Sequence, residues 1–168
     1  RTLLAIKQIR ARFPFPWIEV HPDNGSEFLN WHLWEYTQEE HIAFSRSRPN
    51  KKNDNCFIEQ KNRTHVREIV GHLRYDTIKE QEIIDDLYQN ELRLFKNFFQ
   101  PTIKLIQKIR NKGKIHRKYD KAKTPYQRIM ESSDVLEEKK QELKLIYDSL
   151  NPASLKRKID QKLKLLYK

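Results

Sequence analysis

The N-terminal part of the chain alternates between segments of helical periodicity and short apolar runs that suit strands. Apolar residues recur at helical spacing over residues 3–9, and Pro14 and Pro16 then stop that helix. Short apolar runs over residues 17–20 and 41–45 suit strands, with a short helix between them. This order of helix and strand predicts an α/β class.

The remainder of the chain is predicted to be mainly helical. The further predicted helices span about residues 54–72, 79–99, 134–150 and 152–167. Asp54 or Asn55 suits the N-cap of the first of these, and Thr124-Pro125 fits a separate helix start. The stretch that ends at Lys123 has weak periodicity and one glycine, so it predicts a short helix followed by extended chain.

Positive charge is concentrated in the last third of the sequence. The formal net charge is +11; residues 1–100 hold 15 Lys and Arg against 15 Asp and Glu, whereas residues 101–168 hold 19 against 8. Residues 104–128 contain ten basic side chains and one acid, Asp120. Such a stretch binds polyanions by displacing condensed counterions, which predicts contact with nucleic acid. A solvated basic tail or a ribosome-like contact is the alternative.

Several protein classes are disfavoured by composition. The single cysteine, Cys56, excludes an intramolecular disulfide framework and argues against a zinc finger. No run of eighteen apolar residues is present, and the amphipathic opening stretch is unlike a secretion signal. We therefore expect a cytoplasmic protein that does not associate with a membrane. Because Met130 is the only methionine and Arg1 comes first, we also expect a fragment or processed chain.

The most informative motif joins two segments that lie far apart in the sequence. HPDNGSEF follows the first predicted strand, and FSRSRPNKKNDNCFIEQKN leads into a predicted helix. Asp23 and Glu59 in these segments are separated by 35 residues. This combination resembles the catalytic core of the DDE integrase and transposase superfamily, which includes retroviral integrases and the transposases of bacterial insertion sequences. YDKAKTPYQRIMES is similar to the segment that follows the core in many such proteins.

The resemblance implies an RNase H-like fold and metal-dependent phosphoryl transfer on DNA. Asp23 and Glu59 would be catalytic residues and metal ligands, and the complete site would hold two Mg²⁺ or Mn²⁺ ions. Magnesium prefers hard oxygen ligands and keeps places for water and substrate phosphate, which suits carboxylates on rigid elements. The implied partners are DNA and, in the full-length protein, further copies of the chain; the protein would be nucleoid-associated when it acts on DNA.

Further polar residues near these carboxylates and in the basic stretch are candidate DNA contacts. The predicted DNA-binding residues are Asn24, Ser26, Asn55, Arg63, Arg67, Lys112, Lys114, Arg117 and Lys118. Capping or turn bonding explains Asn24, Ser26 and Asn55 equally well. Gly25 is predicted to give the turn a positive φ. Trp31 and Trp34 are predicted to lie in the core rather than to stack on bases.

The sequence departs from the family pattern at its first carboxylate. In the family, that aspartate lies on the first strand, upstream of the helix that opens this chain. Glu19 is a poor substitute, because it shares the strand that leads to Asp23. We therefore expect an incomplete RNase H-like domain that lacks its first strands, is inactive alone, and exposes a sheet edge and apolar faces.

The expected organisation has three parts. Residues 1–76 would form the C-terminal part of the catalytic core, residues 77–100 a helix that packs on it, and residues 101–168 a basic, mainly helical extension. Two other functions stay open. One is a non-catalytic DNA-binding remnant of a mobile element, and the other is a structural or interaction protein whose charge serves solubility.

Overall fold

The computed structural model describes residues 2–22, 24–48 and 51–167, apart from the side chain of Lys52. The chain divides into two compact units, Arg1–Leu73 and Arg74–Lys168. Both units combine helices with short strands, so the predicted mixed α/β class is confirmed at that coarse level. Residues 77–100 lie within the second unit.

The first unit begins with a helix and a parallel strand pair. Its elements are α1 (Thr2–Arg10), β1 (Glu19–Val20), α2 (Trp31–Glu39) and β2 (Ala43–Phe44). Glu19 lies opposite Ala43 and Val20 opposite Phe44, in parallel register. Since α2 is the crossover between parallel strands, both strands end at the same edge of the sheet.

Helices α1 and α2 build the small core of this unit. Ile6, Leu33 and Tyr36 form its buried cluster, with Leu33 fully buried. The guanidinium of Arg10 donates a hydrogen bond to the Tyr36 hydroxyl at 2.8 Å and forms an ion pair with Glu40 at 2.6 Å. These contacts fix α1 against the helix that connects the two strands.

The predicted helix over residues 54–72 is confirmed, although it is not a uniform α-helix. It comprises a 3₁₀ turn (Lys52–Asn55), α3 (Cys56–Asn62), a π-type turn (Arg63–Arg67) and α4 (Glu68–Val70). Neither Asp54 nor Asn55 caps it through a side-chain hydrogen bond, because both side chains bind elsewhere. Gly71 ends it at φ 76° and ψ −157°, a conformation that is essentially restricted to glycine.

Several large apolar side chains of the first unit lie on its surface. Trp31 is 66% exposed and Trp34 is also exposed, so their predicted place in the core was wrong. They lie three residues apart on one side of α2, while Leu33 and Tyr36 occupy the side that faces the core. Phe57 of α3 is also exposed, at 75%, whereas Val70 of α4 is buried.

The second unit is mainly helical. Its helices are α5 (Ile78–Gln89), α6 (Glu91–Phe98), α7 (Pro125–Glu131), α8 (Glu137–Ser149) and α9 (Pro152–Leu166). The predicted single helix over residues 79–99 was wrong, because Asn90 leaves helical geometry at φ −112° and ψ −98° and separates two helices. The predicted helices on either side of Asn151-Pro152 are confirmed. No helix in the described stretches is both long and apolar enough to cross a membrane.

Helices α5, α6 and α9 pack against one another around a buried apolar core. The buried apolar residues of these three helices are Leu87, Leu92, Phe98, Leu155, Ile159 and Leu166. The ammonium of Lys162 on α9 bonds to the carboxylates of both Asp86 and Glu91, which adds an ionic link among the three helices.

Strands β3 (Leu105–Asn111) and β4 (Lys114–Tyr119) form an antiparallel hairpin. The short helix predicted in this stretch was therefore wrong. Lys112 and Gly113 both have positive φ, 46° and 82°, as a tight two-residue hairpin turn requires. A bridge between Thr102 and Lys123 closes the base of the hairpin.

Candidate functional site

The candidate site lies where the two parallel strands of the first unit end. Beyond β1 the chain continues through His21, and beyond β2 it continues through Ser45 and Ser47. A chain of hydrogen bonds joins these residues to Asn55, which immediately precedes α3. The structure therefore brings both strand ends close to the start of the helix that carries Glu59.

This hydrogen-bonded chain, which we call the polar relay, consists of Glu19, His21, Ser45, Ser47 and Asn55. The Ser45 hydroxyl donates to the Glu19 carboxylate. His21 Nδ1 lies 2.7 Å from Ser45 Oγ, within hydrogen-bond distance. These contacts link the segment beyond β1 to the segment beyond β2.

The other half of the polar relay runs through a buried serine. Ser47 is 1% exposed, and its hydroxyl donates to Asn55 Oδ1. His21 Nε2 lies 3.4 Å from the same Ser47 oxygen. A buried hydroxyl without a partner is costly, so these contacts favour one arrangement of the strand end and the helix start.

An ion pair joins the segment after β2 to the same helix start. Arg48 Nε and NH2 lie 2.9 Å and 3.0 Å from the two carboxylate oxygens of Asp54. The Arg48 backbone N–H also donates to Asp54 at 3.2 Å. The side-chain hydrogen bonds from Arg48, followed by the backbone bond, lower the pKa of Asp54 to about 2. Asp54 is therefore ionised and engaged at neutral pH.

Glu59 lies one helical turn after Asn55 and is exposed. Its carboxylate makes no hydrogen bond or ion pair with any side chain that the structure describes. Glu19 is bonded to Ser45 and Asp54 to Arg48, so neither offers a free carboxylate. Asp23, the other predicted ligand, lies outside the described residues. Among residues 2–22, 24–48 and 51–167, no group of three or more His, Cys, Asp or Glu side chains is placed to hold a metal ion.

The turn after Asp23 is exposed at both predicted DNA contacts, Asn24 and Ser26. The predicted positive φ of Gly25 was wrong, since the described glycines with positive φ are Gly71 and Gly113. A Cβ at Gly25 would instead lie 2.7 Å from the carboxylate of Glu27. That neighbour is the end of a flexible side chain, so the space around Gly25 is only loosely restricted.

The predicted contacts on and around the Glu59 helix already have protein partners. Asn55 accepts the hydrogen bond from Ser47 and is half-buried, which favours a structural role for its side chain. Arg63 lies 3.3 Å from Glu68, and Arg67 lies 3.0 Å from the ring of His72. Both arginines are exposed, so these weak pairs leave the guanidinium groups accessible to phosphate.

The remaining predicted DNA contacts lie on the hairpin of the second unit. Lys112 and Lys114 lie at and beside its turn, and Arg117 and Lys118 lie further along β4. All four are exposed, as are Lys108 and Arg110 on β3, which were not among the predicted site residues. The sequence signal was Gly113, because a turn there would pair the two strands. That pairing would have placed Lys108 and Arg110 beside the predicted DNA contacts.

The relay residues His21, Ser45 and Ser47 were also absent from the predicted site. Their hydrogen bonds join positions separated by 24 and 26 residues, which local patterns do not reveal. The nearest sequence signal was the position of His21, two residues before Asp23 and at the end of a predicted strand.

Comparison with known proteins gives one informative relative. Over 117 residues the chain is 35% identical to an uncharacterized protein of Sinorhizobium fredii, y4rM; the match covers 70% of this chain and 33% of the relative. The chain therefore matches about a third of that protein's length. No family model matches the chain, and no solved structure matches it.

Proposed function

We propose that the chain is part of a DDE-type DNA integrase or transposase in which Asp23 and Glu59 are two of the catalytic carboxylates. The polar relay is the observation that carries this proposal. It ties His21, two residues before Asp23 in the sequence, to Asn55, one helical turn before Glu59. A strand end and a helix that face each other in this way suit the carboxylate positions that the resemblance implies.

An incomplete RNase H-like domain is the finer fold assignment within this proposal. The order β1, α2, β2 and the Glu59 helix agrees with the second half of such a domain. Exposed apolar side chains such as Ile18, Phe57 and Leu73 offer surface that further strands of a larger sheet would cover. The length of the S. fredii relative is consistent with a longer parent protein.

Two Mg²⁺ or Mn²⁺ ions are the cofactor of the proposed activity, and Asp23 and Glu59 would hold them together with a further carboxylate. Glu59 fits this role because its carboxylate is exposed and has no ion pair with a described side chain. When bound, such ions activate water or a DNA 3′-hydroxyl and stabilise the leaving oxygen of the phosphodiester. The activity is proposed for the longer protein, since Glu19 lies on the same strand that leads to Asp23 and does not replace the first aspartate.

The other residues of the first unit would orient the site and bind the substrate. The polar relay would hold the strand end beside the helix start, as partners behind metal ligands commonly do. Arg63 and Arg67 are accessible to DNA phosphate, and Asn24 and Ser26 lie exposed in the turn after Asp23. The basic residues of the second unit would hold DNA through its backbone. The proposed setting is the bacterial cytoplasm, where copies of the full-length protein would assemble on nucleoid DNA.

A strand-transfer and nicking assay with Mg²⁺ or Mn²⁺ tests this proposal. It compares the 168-residue chain with the protein extended upstream to include the missing strands. We expect activity only in the extended protein and its loss with Asp23→Asn or Glu59→Gln. Glu35→Gln is the matched control, because Glu35 is exposed on α2, away from the helix that carries Glu59. Activity that survives Asp23→Asn and Glu59→Gln would refute the catalytic assignment.

A non-catalytic DNA-binding protein is the second candidate, and the uncovered basic hairpin favours it. This alternative predicts salt-dependent DNA binding by the chain and no metal-dependent strand transfer by any upstream-extended form. Both candidates predict DNA binding that Asp23→Asn leaves unchanged, so the strand-transfer assay is the measurement that separates them.

A further inference from the structure

The hairpin β3–β4, here called the basic ribbon, is exposed along its whole length. Every residue of Leu105–Asn111 and Lys114–Tyr119 is exposed, so neither face of this two-stranded sheet packs on the described rest of the second unit. A two-stranded hairpin is ordinarily marginal unless a third element covers one of its faces. The basic ribbon is therefore a surface suited to a partner.

The charge on the basic ribbon is of one sign, and no side chain that the structure describes neutralises it. Its six cations are Lys108, Arg110, Lys112, Lys114, Arg117 and Lys118, and residues 105–119 contain no acid. None of the six forms an ion pair with a described side chain. Asp120, just beyond β4, is already bound to the guanidinium of Arg128 at 2.6 Å and to the Lys104 backbone N–H at 2.6 Å.

The strand register distributes the cations over both faces. Lys108 lies opposite Arg117, so this pair projects from one face together with Arg110. Lys118 lies opposite Gln107 and Lys114 opposite Asn111, so these two lysines project from the other face. Lys112 lies in the turn at the tip. A flat anionic surface would use one face of such a ribbon, whereas a groove with two anionic walls would use both.

We propose that the basic ribbon inserts into the major groove of duplex DNA, turn first, with one face toward each phosphate row. A sheet with its side chains is about 10 Å thick. The major groove of B-form DNA is about 12 Å wide and about 8.5 Å deep and admits a two-stranded ribbon. At about 3.3 Å per residue, that depth holds the turn and the last two or three residues of each strand.

This insertion matches the order of side chains along the basic ribbon. Asn111, Lys112 and Lys114 at the tip would lie among the base edges, where amide and ammonium groups find acceptors. Lys108, Arg117 and Lys118, further from the tip, would lie level with the phosphates. Gly113 at the tip has no described atom within 4 Å of the place where a Cβ would stand, so the turn itself is open.

Other polyanions fit the basic ribbon less well. A-form RNA has a deep, narrow major groove that side chains do not enter. Single strands are held largely by stacking on aromatic rings, and Tyr119 is the one Phe, Tyr or Trp in the two strands. An anionic membrane favours an apolar face opposite a charged face, whereas Ile109 and Ile115 lie on opposite faces, each alongside cations.

Two matched variants test the use of both faces. Lys108→Gln with Arg117→Gln removes a cation pair from one face, and Lys114→Gln with Lys118→Gln removes two cations from the other. The control, Lys144→Gln with Lys158→Gln, removes two exposed cations from α8 and α9. Binding of the full chain to a fluorescent 20-base-pair duplex is followed by anisotropy over a range of KCl concentrations, and circular dichroism checks folding.

We expect each ribbon variant to weaken duplex binding about tenfold and to reduce the salt slope by about 0.9 for each lost phosphate contact. The control should do neither. A duplex whose pyrimidines carry bulky C5 substituents, which fill the major groove, should bind at least about tenfold more weakly. The proposal would be overturned if only one of the two ribbon variants weakened binding. It would also be overturned if the substituted duplex bound as tightly as the unmodified duplex. Tighter binding to single-stranded DNA, duplex RNA or phosphatidylglycerol vesicles would also overturn it.

This inference rests on the proposed function only in taking DNA as the partner. Duplex binding by Glu59→Gln should equal that of the unmodified chain, because the ribbon cations and not Glu59 are expected to contact the groove. Failure of strand transfer with groove binding intact refutes the catalytic proposal alone. Strand transfer that withstands all four ribbon substitutions refutes the role of the ribbon alone.

Discussion

The two units use their polar side chains in opposite ways. In the first unit, the polar groups at the strand ends are engaged with one another, and buried Ser47 lies among them. In the second unit, the six cations of the basic ribbon are exposed and have no ion pair with a described residue. Positioning a reactive group requires side chains with fixed partners, whereas capture of a polyanion requires cations that are free to meet phosphate. Under the proposed function, the first unit would orient the reactive groups and the second unit would capture DNA.

Their apolar cores differ as well. The second unit buries residues from three mutually packed helices and adds the stack of Tyr126 on Tyr147, whose ring centroids are 4.7 Å apart. The first unit has a smaller buried cluster bordered by partly exposed rings such as Trp17 and Phe28. Substitutions in the two apolar cores should therefore show the difference between the units most clearly.

The largest effect is expected from truncation of a fully buried leucine in each unit. Leu87→Ala on α5 and Leu33→Ala on α2 should each cost about 2–5 kcal/mol. Leu87 should lie at the upper end, because the packed helices around it have less freedom to collapse into the cavity. Hydrogen exchange measured separately for α5 and α2 gives the two values; an equal or larger cost at Leu33 would contradict the difference between the cores.

The ionic link of the second unit should give the next largest effect. Lys162→Met leaves the carboxylates of Asp86 and Glu91 without their shared cation and should cost about 1–3 kcal/mol. Burial lowers the pKa of Lys162, but hydrogen bonds to Asp86 and Glu91 outweigh it, and the net pKa is raised above 10.5. The stabilisation should therefore be complete below that value and be lost as pH rises through the raised pKa.

Urea denaturation of the unmodified chain and of Lys162→Met between pH 8 and pH 12 measures this difference. Lys158→Met, at an exposed position of the same helix, is the control and should change stability by less than about 0.5 kcal/mol. A stability difference that is constant across the pH range would show that Lys162 acts through packing and not through charge.

A smaller effect on stability, with a larger effect on activity, is expected in the polar relay. Ser47→Ala removes the donor to Asn55 and should cost about 1 kcal/mol. In the upstream-extended protein it should slow strand transfer about tenfold, as loss of a supporting hydrogen bond behind metal ligands commonly does. Ser133→Ala, at an exposed serine, is the control. Unchanged strand transfer in Ser47→Ala would separate the relay from catalysis.

The smallest effect is expected from the exposed pair of Arg48 and Asp54. The pKa of Asp54 is about 2, below its ordinary value of 3.8, so the pair should stabilise the loop above pH 3.8 and be lost as pH falls through about 2. NMR titration of the Asp54 carboxyl carbon should show a midpoint near 2 that moves toward 3.8 in Arg48→Gln. A midpoint near 3.8 in the unmodified chain would contradict the pairing.

The parts of the fold that could be predicted are those with local signals. α1 ends at Arg10, shortly before Pro14 and Pro16, and α9 begins at Asn151-Pro152, since proline restricts the backbone wherever it occurs. The short apolar runs over residues 17–20 and 41–45 predicted both parallel strands. These signals depend on neighbouring residues, so they are readable before any tertiary contact is known.

The parts that could not be predicted depend on contacts between distant residues. Ile103, Ile106 and Ile109 recur at a spacing that also fits a helix, and only the pairing of β3 with β4 across the Lys112-Gly113 turn makes the stretch a hairpin. Ser45 and Ser47 of the polar relay likewise belong to no sequence pattern, because their role depends on contacts with His21, which is distant in the sequence. Of the two proposed catalytic carboxylates, the structure describes Glu59, and its pairing with Asp23 rests on the sequence.

Gly71, which ends the Glu59 helix, limits the mutations that the protein can tolerate at that position. Gly71 has a φ of 76° and a ψ of −157°, which residues with a Cβ rarely adopt. Every single-nucleotide missense change in a glycine codon introduces a side chain, so no such mutation at this position preserves that geometry without strain. Lineages that retain the folded protein should therefore keep a glycine codon at this position.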